Sequence, residues 1–197
     1  GKVNSCIPFA RLGFSQQKAI SIFLSRGILG ASNSISAVSI SSEGKAFYIT
    51  KTMPISTKKQ IWAKMTVNIV MNMLAICACC LVLYHYTQVQ WWEVIYIFFI
   101  LVFVGIGHIF WAVEIDIRYP KVQQYATNEQ NIDTSNGSRA IAFGLITSLI
   151  FTLGILKNLT ERVDQTWIKI ALLASIFFGY RLYLLMSVEK VLFEEIE

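Results

Sequence analysis

The sequence predicts an all-α, polytopic integral membrane bundle, and three observations carry that reading. Charged residues make up 15% of the chain against 55% hydrophobic and 13% aromatic, far below the roughly 25% charge of a water-soluble domain. Four long apolar runs follow one another with polar connections between them, and about 20 such residues in a helix cross a hydrocarbon core of about 30 Å. Lys and Arg fall unevenly among those connections, as they do around membrane spans. Any one run could be a buried helix of a soluble protein, but four in succession would leave no polar exterior.

Taken in chain order, residues 1–18 read as an irregular N-terminal region. Ala19 to Ile40 is long enough to span, although it contains Arg26 and several serines; it reads as a fifth span or otherwise as a helix buried against its neighbours. Ile61 to Tyr84 carries its charge, Lys64, at one end, and Val94 to Val113 carries none. Ala140 to Leu156 is a shorter span, and Ile168 to Met186 tolerates Lys169 and Arg181 near its two ends. Arg181 is close enough to the inner end to snorkel to the interface. The spans at about 19–40, 61–84, 94–113, 140–156 and 168–186 thus form one helical domain over 19–197. Nothing at the start has the pattern of a cleaved signal peptide. Opening on Gly1 and a polar stretch, the chain is expected to be the later portion of a longer protein.

Orientation follows from the cations. Lys45, Lys51, Lys58 and Lys59, with Lys64 just beyond, crowd the 41–60 linker, while His85 to Gln90 has no Lys or Arg. The lysine-rich linker is therefore expected on the cytoplasmic side. Alternation places the 114–139 loop, with Arg118, Lys121 and Arg139, and the C-terminus there too, and leaves Lys157 and Arg162 outside. Trp91, Trp92, Trp111 and Trp167 are expected to form an interfacial aromatic belt. A net charge of +5 then needs no nucleic acid, because much of it faces anionic membrane lipids.

Few residues point to chemistry of their own. Gly44-Lys45 is followed by Ala46 and lacks the upstream glycine of a phosphate-cradling loop, so no nucleotide hydrolysis is expected. His108, Glu114 and Asp116 could be imagined as metal ligands, but their spacing matches no helical-face pair, and no metal site or catalytic residue is expected. Cys77, Cys79 and Cys80 read as small apolar packing residues, and Cys6 stands alone. Asn68 and Asn72, four apart, share one helical face, and His108 follows Gly105 and Gly107. These three either bond between helices at small-residue contacts or line a substrate path.

The linker itself, "SSEGKAFYITKTMPISTKKQ", mixes Phe47, Tyr48, Ile49 and Met53 with lysines, which suits a short segment lying at a membrane surface. Pro54 ends it. Thr57 and Gln60 then stand in capping-box spacing at the start of the next helix.

The segment "SISSEGKAFYITKTMPISTKKQIWAK" resembles one found in the permease subunits of a family of ATP-binding-cassette exporters from Firmicutes and related bacteria. The matching residues are Ser41, Glu43, Gly44, Lys45, Phe47, Tyr48, Lys51, Met53, Pro54, Ile55 and Ser56. Downstream, Asp116, Pro120, Lys121, Asn128 and Glu129 resemble the family's second cytoplasmic loop, and the resemblance extends over roughly Ile35 to Gly154. It implies a transport subunit that is not itself an enzyme and works with a separate ATPase subunit, which holds ATP and Mg, and with a second permease half. It also implies that Glu43, Gly44, Lys45, Lys51, Pro54, Asp116, Pro120 and Lys121 couple the permease to that ATPase. Glu43, Lys45 and Lys51 would make polar contacts, Gly44 would allow a close backbone approach, and Pro54 would fix the corner. The competing expectation is a membrane scaffold or regulatory subunit whose basic face binds anionic lipid.

Overall fold

A proline at position 54, two exposed residues after it and an uninterrupted apolar run from Ile61 dictate the first feature, a short helix turned sharply into a long one. The computed structural model describes residues 35–52, 54–86, 89–127, 135–161 and 164–188; residues 1–34, and with them most of the expected 19–40 span and Cys6, lie outside these. Two 3-10 turns, Ile35–Val38 and Ser41–Glu43, lead into helix α1 (Ala46–Thr52). The end of the expected first span, from Ile35 on, is therefore not α-helical. Beyond Pro54 runs α2 (Thr57–Tyr86), followed by α3 (Trp91–Arg118), the short α4 (Val122–Thr127), α5 (Ser135–Glu161) and α6 (Asp164–Val188). Among the described residues there is no strand.

Helices α2, α3, α5 and α6 are each long and apolar enough to cross a membrane. They outrun the expected spans at both ends, because Lys, Gln, Asp and Arg can continue a helix into the headgroup zone where hydropathy no longer marks it. At 1.5 Å per residue they reach about 38 to 45 Å, the full thickness of a bilayer with its headgroups.

The bundle is organised around α3, which packs most extensively on α6 and also contacts α2, α5 and the first 3-10 turn. Two apolar layers mark its ends. In one, Ile40, Phe47, Ile61, Val113, Ile117 and Val188 come together, so the 35–56 elbow, the end of α3 and the end of α6 lie at one end of the bundle. In the other, Leu83, Ile97, Ile155 and Trp167 meet at the opposite end. On α5 the buried face reads Asn136, Ala140, Gly144, Ser148, Thr152, one small or short side chain every four residues, which lets neighbouring helices approach closely where lipid supplies no hydrophobic drive. Outward faces are apolar instead: Val67, Val70, Met71 and Leu74 on α2, Leu149, Ile150 and Leu153 on α5, and Leu172, Leu173 and Ile176 on α6 are all exposed. Such a surface is a liability in water and the expected one in hydrocarbon.

The aromatic belt is only partly where the sequence put it. Trp91 is 67% exposed, but Trp167 is fully buried and stacks on Tyr96 with ring centroids 6.2 Å apart. Trp111 is half-buried, stacked on Phe143 at 4.5 Å. Tryptophan near a span end is an equally good filler of a gap between helices, and hydropathy does not separate the two roles.

Candidate functional site

At the elbow end the chain solves a local problem, a turn whose backbone amides have no helix to satisfy them. The Ile35–Val38 turn seats Ala37 against Ala112, Ile115 and Ala140, which brings the following residues over the last turns of α3. There Asp116, 0% exposed, accepts the amide of Ile40 at 2.7 Å and that of Ser41 at 3.1 Å on one oxygen. Its other oxygen accepts the Ser41 hydroxyl and, at 3.5 Å, the amide of Asn136 at the start of α5. A buried carboxylate is tolerated only when hydrogen bonds replace its water shell, and here the donors come from two separate stretches of chain, the 40–41 turn and the start of α5.

The same joint reaches the next loop. The Ser41 oxygen also accepts the Lys121 amide at 2.9 Å, Asn136 donates to the Tyr119 carbonyl at 2.8 Å, and Lys121 Nζ donates to Ser135 Oγ at 2.6 Å. Gly44 finishes the turn at φ 49° and ψ −122°, backbone open to glycine and strained for other residues. A Cβ there would stand 3.0 Å from the Tyr125 carbonyl carbon and oxygen and 3.1 Å from the Ala126 nitrogen, so the elbow lies directly on the backbone of α4. Phe47 plugs α1 into the core beside Val122.

Two further ties fix α1 and its corner. Glu43 Oε1 pairs with Lys64 Nζ on α2 at 2.7 Å. Gln60 donates to the carbonyls of Thr50 at 3.2 Å and Ile55 at 3.1 Å, across the Pro54 corner. The expected Thr57–Gln60 capping box is thereby corrected: the Gln60 amide bonds the Ser56 carbonyl, which makes Ser56 the cap and puts Gln60 one place too late.

Of the residues expected to couple, Gly44, Asp116 and Lys121 meet in this joint and Glu43 sits beside it. Asp116 is 0% exposed and holds the elbow from inside. Lys45, Pro54 and Pro120 are exposed. Lys51 is in α1, its side chain outside the described ones, and Asn128 and Glu129 lie outside the described residues. Asn68, Asn72 and His108 each have a contact of their own. Asn68 donates to Ser36 Oγ at 2.8 Å, His108 Nε2 bonds the Ala140 carbonyl at 3.0 Å, and Asn72 lies against Gly105 with its amide nitrogen buried and unpartnered. Each of these polar groups stands at a different contact between elements. Among the described residues no three His, Cys, Asp or Glu side chains group to hold a metal.

Sequence reading missed the organisers of this end. Ser36 and Asn136 look like ordinary polar residues, Ser41 stands out only as part of the resembling segment, and their contacts across 32, 20 and 75 positions show what they do. It also missed a charge network. Arg181 does not snorkel to water: its guanidinium lies 3.5 Å from the centre of the Trp111 ring and 3.4 Å from Glu114 Oε2, while Arg118 takes Glu114 Oε1 at 2.9 Å. The legible signal was that Trp111, Glu114 and Arg118 lie on one face of α3 at three- and four-residue spacing.

Fold and site together define a polytopic helical membrane protein with a stapled elbow at one end. No protein-family model, curated protein or solved structure matches the chain.

Proposed function

We propose that this chain is the transmembrane permease subunit of an ATP-binding-cassette exporter, working with a separate ATPase subunit and a second permease half. The elbow end is read as cytoplasmic, with loops 41–60 and 114–139 and the C-terminus on that side, because the exposed Lys45, Lys58 and Lys59 gather there. One observation carries the reading: Asp116 ties the elbow, the end of α3 and the start of α5 into a single body. Force applied to the elbow from outside would reach two spanning helices at once, whereas a surface strap would flex and absorb it. ATP and Mg would bind the partner, and this chain would supply the lever. The resemblance of the 35–56 segment and of the Asp116 loop to exporter permeases supports the same conclusion.

The test is co-purification of an ATPase subunit with the full-length protein in mild detergent, comparing the natural sequence with Lys45→Glu and Pro54→Ala. Both positions are exposed, so insertion and folding are expected to survive. Loss of the ATPase in Lys45→Glu supports a docking elbow. An intact protein that retains no ATPase sinks the exporter reading and leaves a scaffold whose basic face meets lipid. In that case a modest rise in ionic strength weakens the contact as the Debye length falls below about 8 Å, while a packed protein joint persists.

A further inference from the structure

Glu114 lies between two guanidinium groups, Arg118 on its own helix and Arg181 on α6. The trio carries two positive charges and one negative, so a surplus of one positive charge remains where α3 meets α6. The other described carboxylates of this end are committed elsewhere: Asp116 to Ile40, Ser41 and Asn136, and Glu43 to Lys64. Trp111, Phe177 and Tyr180 surround Arg181 with their rings, at 3.5, 5.7 and 5.6 Å. They fix its position and soften the charge through their quadrupoles without neutralising it. Its Nε is buried and meets no acceptor.

The surplus sits at a telling depth. Arg118 ends α3, and Arg181 comes seven residues before the end of α6 at Val188, about 10 Å along the axis. Between them they cover the zone where headgroups give way to hydrocarbon. The Arg118 side chain is 46% exposed and Arg181 14%, so one guanidinium is open to the outside and the second stands behind it. Running from Tyr180 toward the bilayer centre, Ile176, Leu173 and Leu172 form an exposed apolar stripe on α6. A cation pair at headgroup depth above an open apolar stripe has the shape of a phospholipid, phosphate above and chains below. Guanidinium groups match phosphate oxygens with paired, charge-assisted hydrogen bonds.

We infer that Arg118 and Arg181 hold the phosphate of an anionic phospholipid at the elbow end of the α3–α6 seam, with its chains along Ile176 and Leu172. The lipid supplies the charge that Glu114 alone cannot balance. A free phosphate would gain the same hydrogen bonds but none of the contact of tethered chains along the stripe. This site stands independently of the exporter reading.

The test is lipid retention by native mass spectrometry. The full chain is exchanged into nanodiscs of phosphatidylglycerol and phosphatidylcholine and then released into detergent. Phosphatidylglycerol is expected to stay bound in preference to phosphatidylcholine. Arg118→Gln, at a half-exposed side chain, is expected to cut that retention roughly tenfold, the scale of a lost charged hydrogen-bond pair. Glu114→Gln raises the surplus charge and is expected to retain at least as much as the natural sequence. Equal retention of the two lipids overturns the assignment. So does retention unchanged in Arg118→Gln. Displacement of the lipid by excess inorganic phosphate would show an anion site without a lipid requirement and would overturn the lipid assignment.

Discussion

Asp116 accepts the backbone amide of Ile40 at 2.7 Å although the two residues are 76 positions apart. That bond and its companions to Ser41 and Asn136 join the elbow, the end of α3 and the start of α5 at one end of the bundle. Without it the amides of Ile40 and Ser41 would lie over α3 unsatisfied.

Asp116→Ala should therefore release the elbow. The change strands the buried amides of Ile40 and Ser41, each a loss of about 1–3 kcal/mol. Hydrogen–deuterium exchange over residues 35–45 is expected to rise sharply while the middle of α3 stays protected. Asp116→Asn, which keeps an acceptor, is expected to fall between. Protection unchanged in Asp116→Ala would mean that Ala37 and Phe47 hold the elbow by apolar packing alone.

Gly44→Ala should be costly for a residue so small. The positive φ alone disfavours a side chain by about 1–2 kcal/mol, and the added Cβ would press on the Tyr125 and Ala126 backbone, which cannot rotate aside. A lower midpoint of thermal unfolding in detergent is expected, with no rescue by substitutions at the Tyr125 side chain. Rescue by Tyr125→Ala would show that the side chain, not the backbone, is the obstacle.

Gly107 makes the contrasting case. A Cβ there would meet the Phe177 ring at 2.8 and 3.0 Å, and a ring can be replaced. Gly107→Ala is expected to destabilise by roughly 1–3 kcal/mol, as overpacking does. Gly107→Ala with Phe177→Leu should recover most of the loss. Additive effects in a double-mutant cycle would place the two residues out of contact.

The Glu114 network predicts an order. Glu114→Leu strands two guanidinium groups, one of them buried, and should cost on the scale of a broken buried pair, about 3–5 kcal/mol. Arg181→Met leaves Glu114 its Arg118 partner and should cost less. Thermal melts in one detergent give the ranking directly, and the reverse order would mean that Arg181 matters mainly for its packing on Trp111.

Different parts of this molecule were legible to different degrees. The spanning helices stand out because lipid imposes a composition on roughly 20 consecutive residues, and no local accident imitates that over four segments. Helix ends were shifted by several residues, since polar side chains in the headgroup zone carry no hydropathy signal. Asp116, Lys121, Glu43 and Gly44 were found as a group through the resemblance of their segments. The resemblance implies coupling for all of them, and the structure adds that Asp116 is buried beneath the elbow. Ser41 belongs to the resembling segment, while Ser36 and Asn136 carry no sequence signal, because a polar residue in a linker looks alike whether it meets water or a buried partner.

The sequence by itself determined that this is a helical membrane protein, how many long apolar helices follow position 56, and where its lysine-rich linker lies. Those properties depend on residues near one another in the chain and on the solvent each segment demands. Only the tertiary structure decided that Asp116 is an internal staple, that Arg181 shares Glu114 with Arg118 under Trp111, and that Trp167 is buried rather than interfacial. Each of these depends on which helix faces align, and that alignment is set by packing between segments distant in the chain, from small-residue contacts such as Gly107 with Phe177 to the close seat of Ala37 against Ala140.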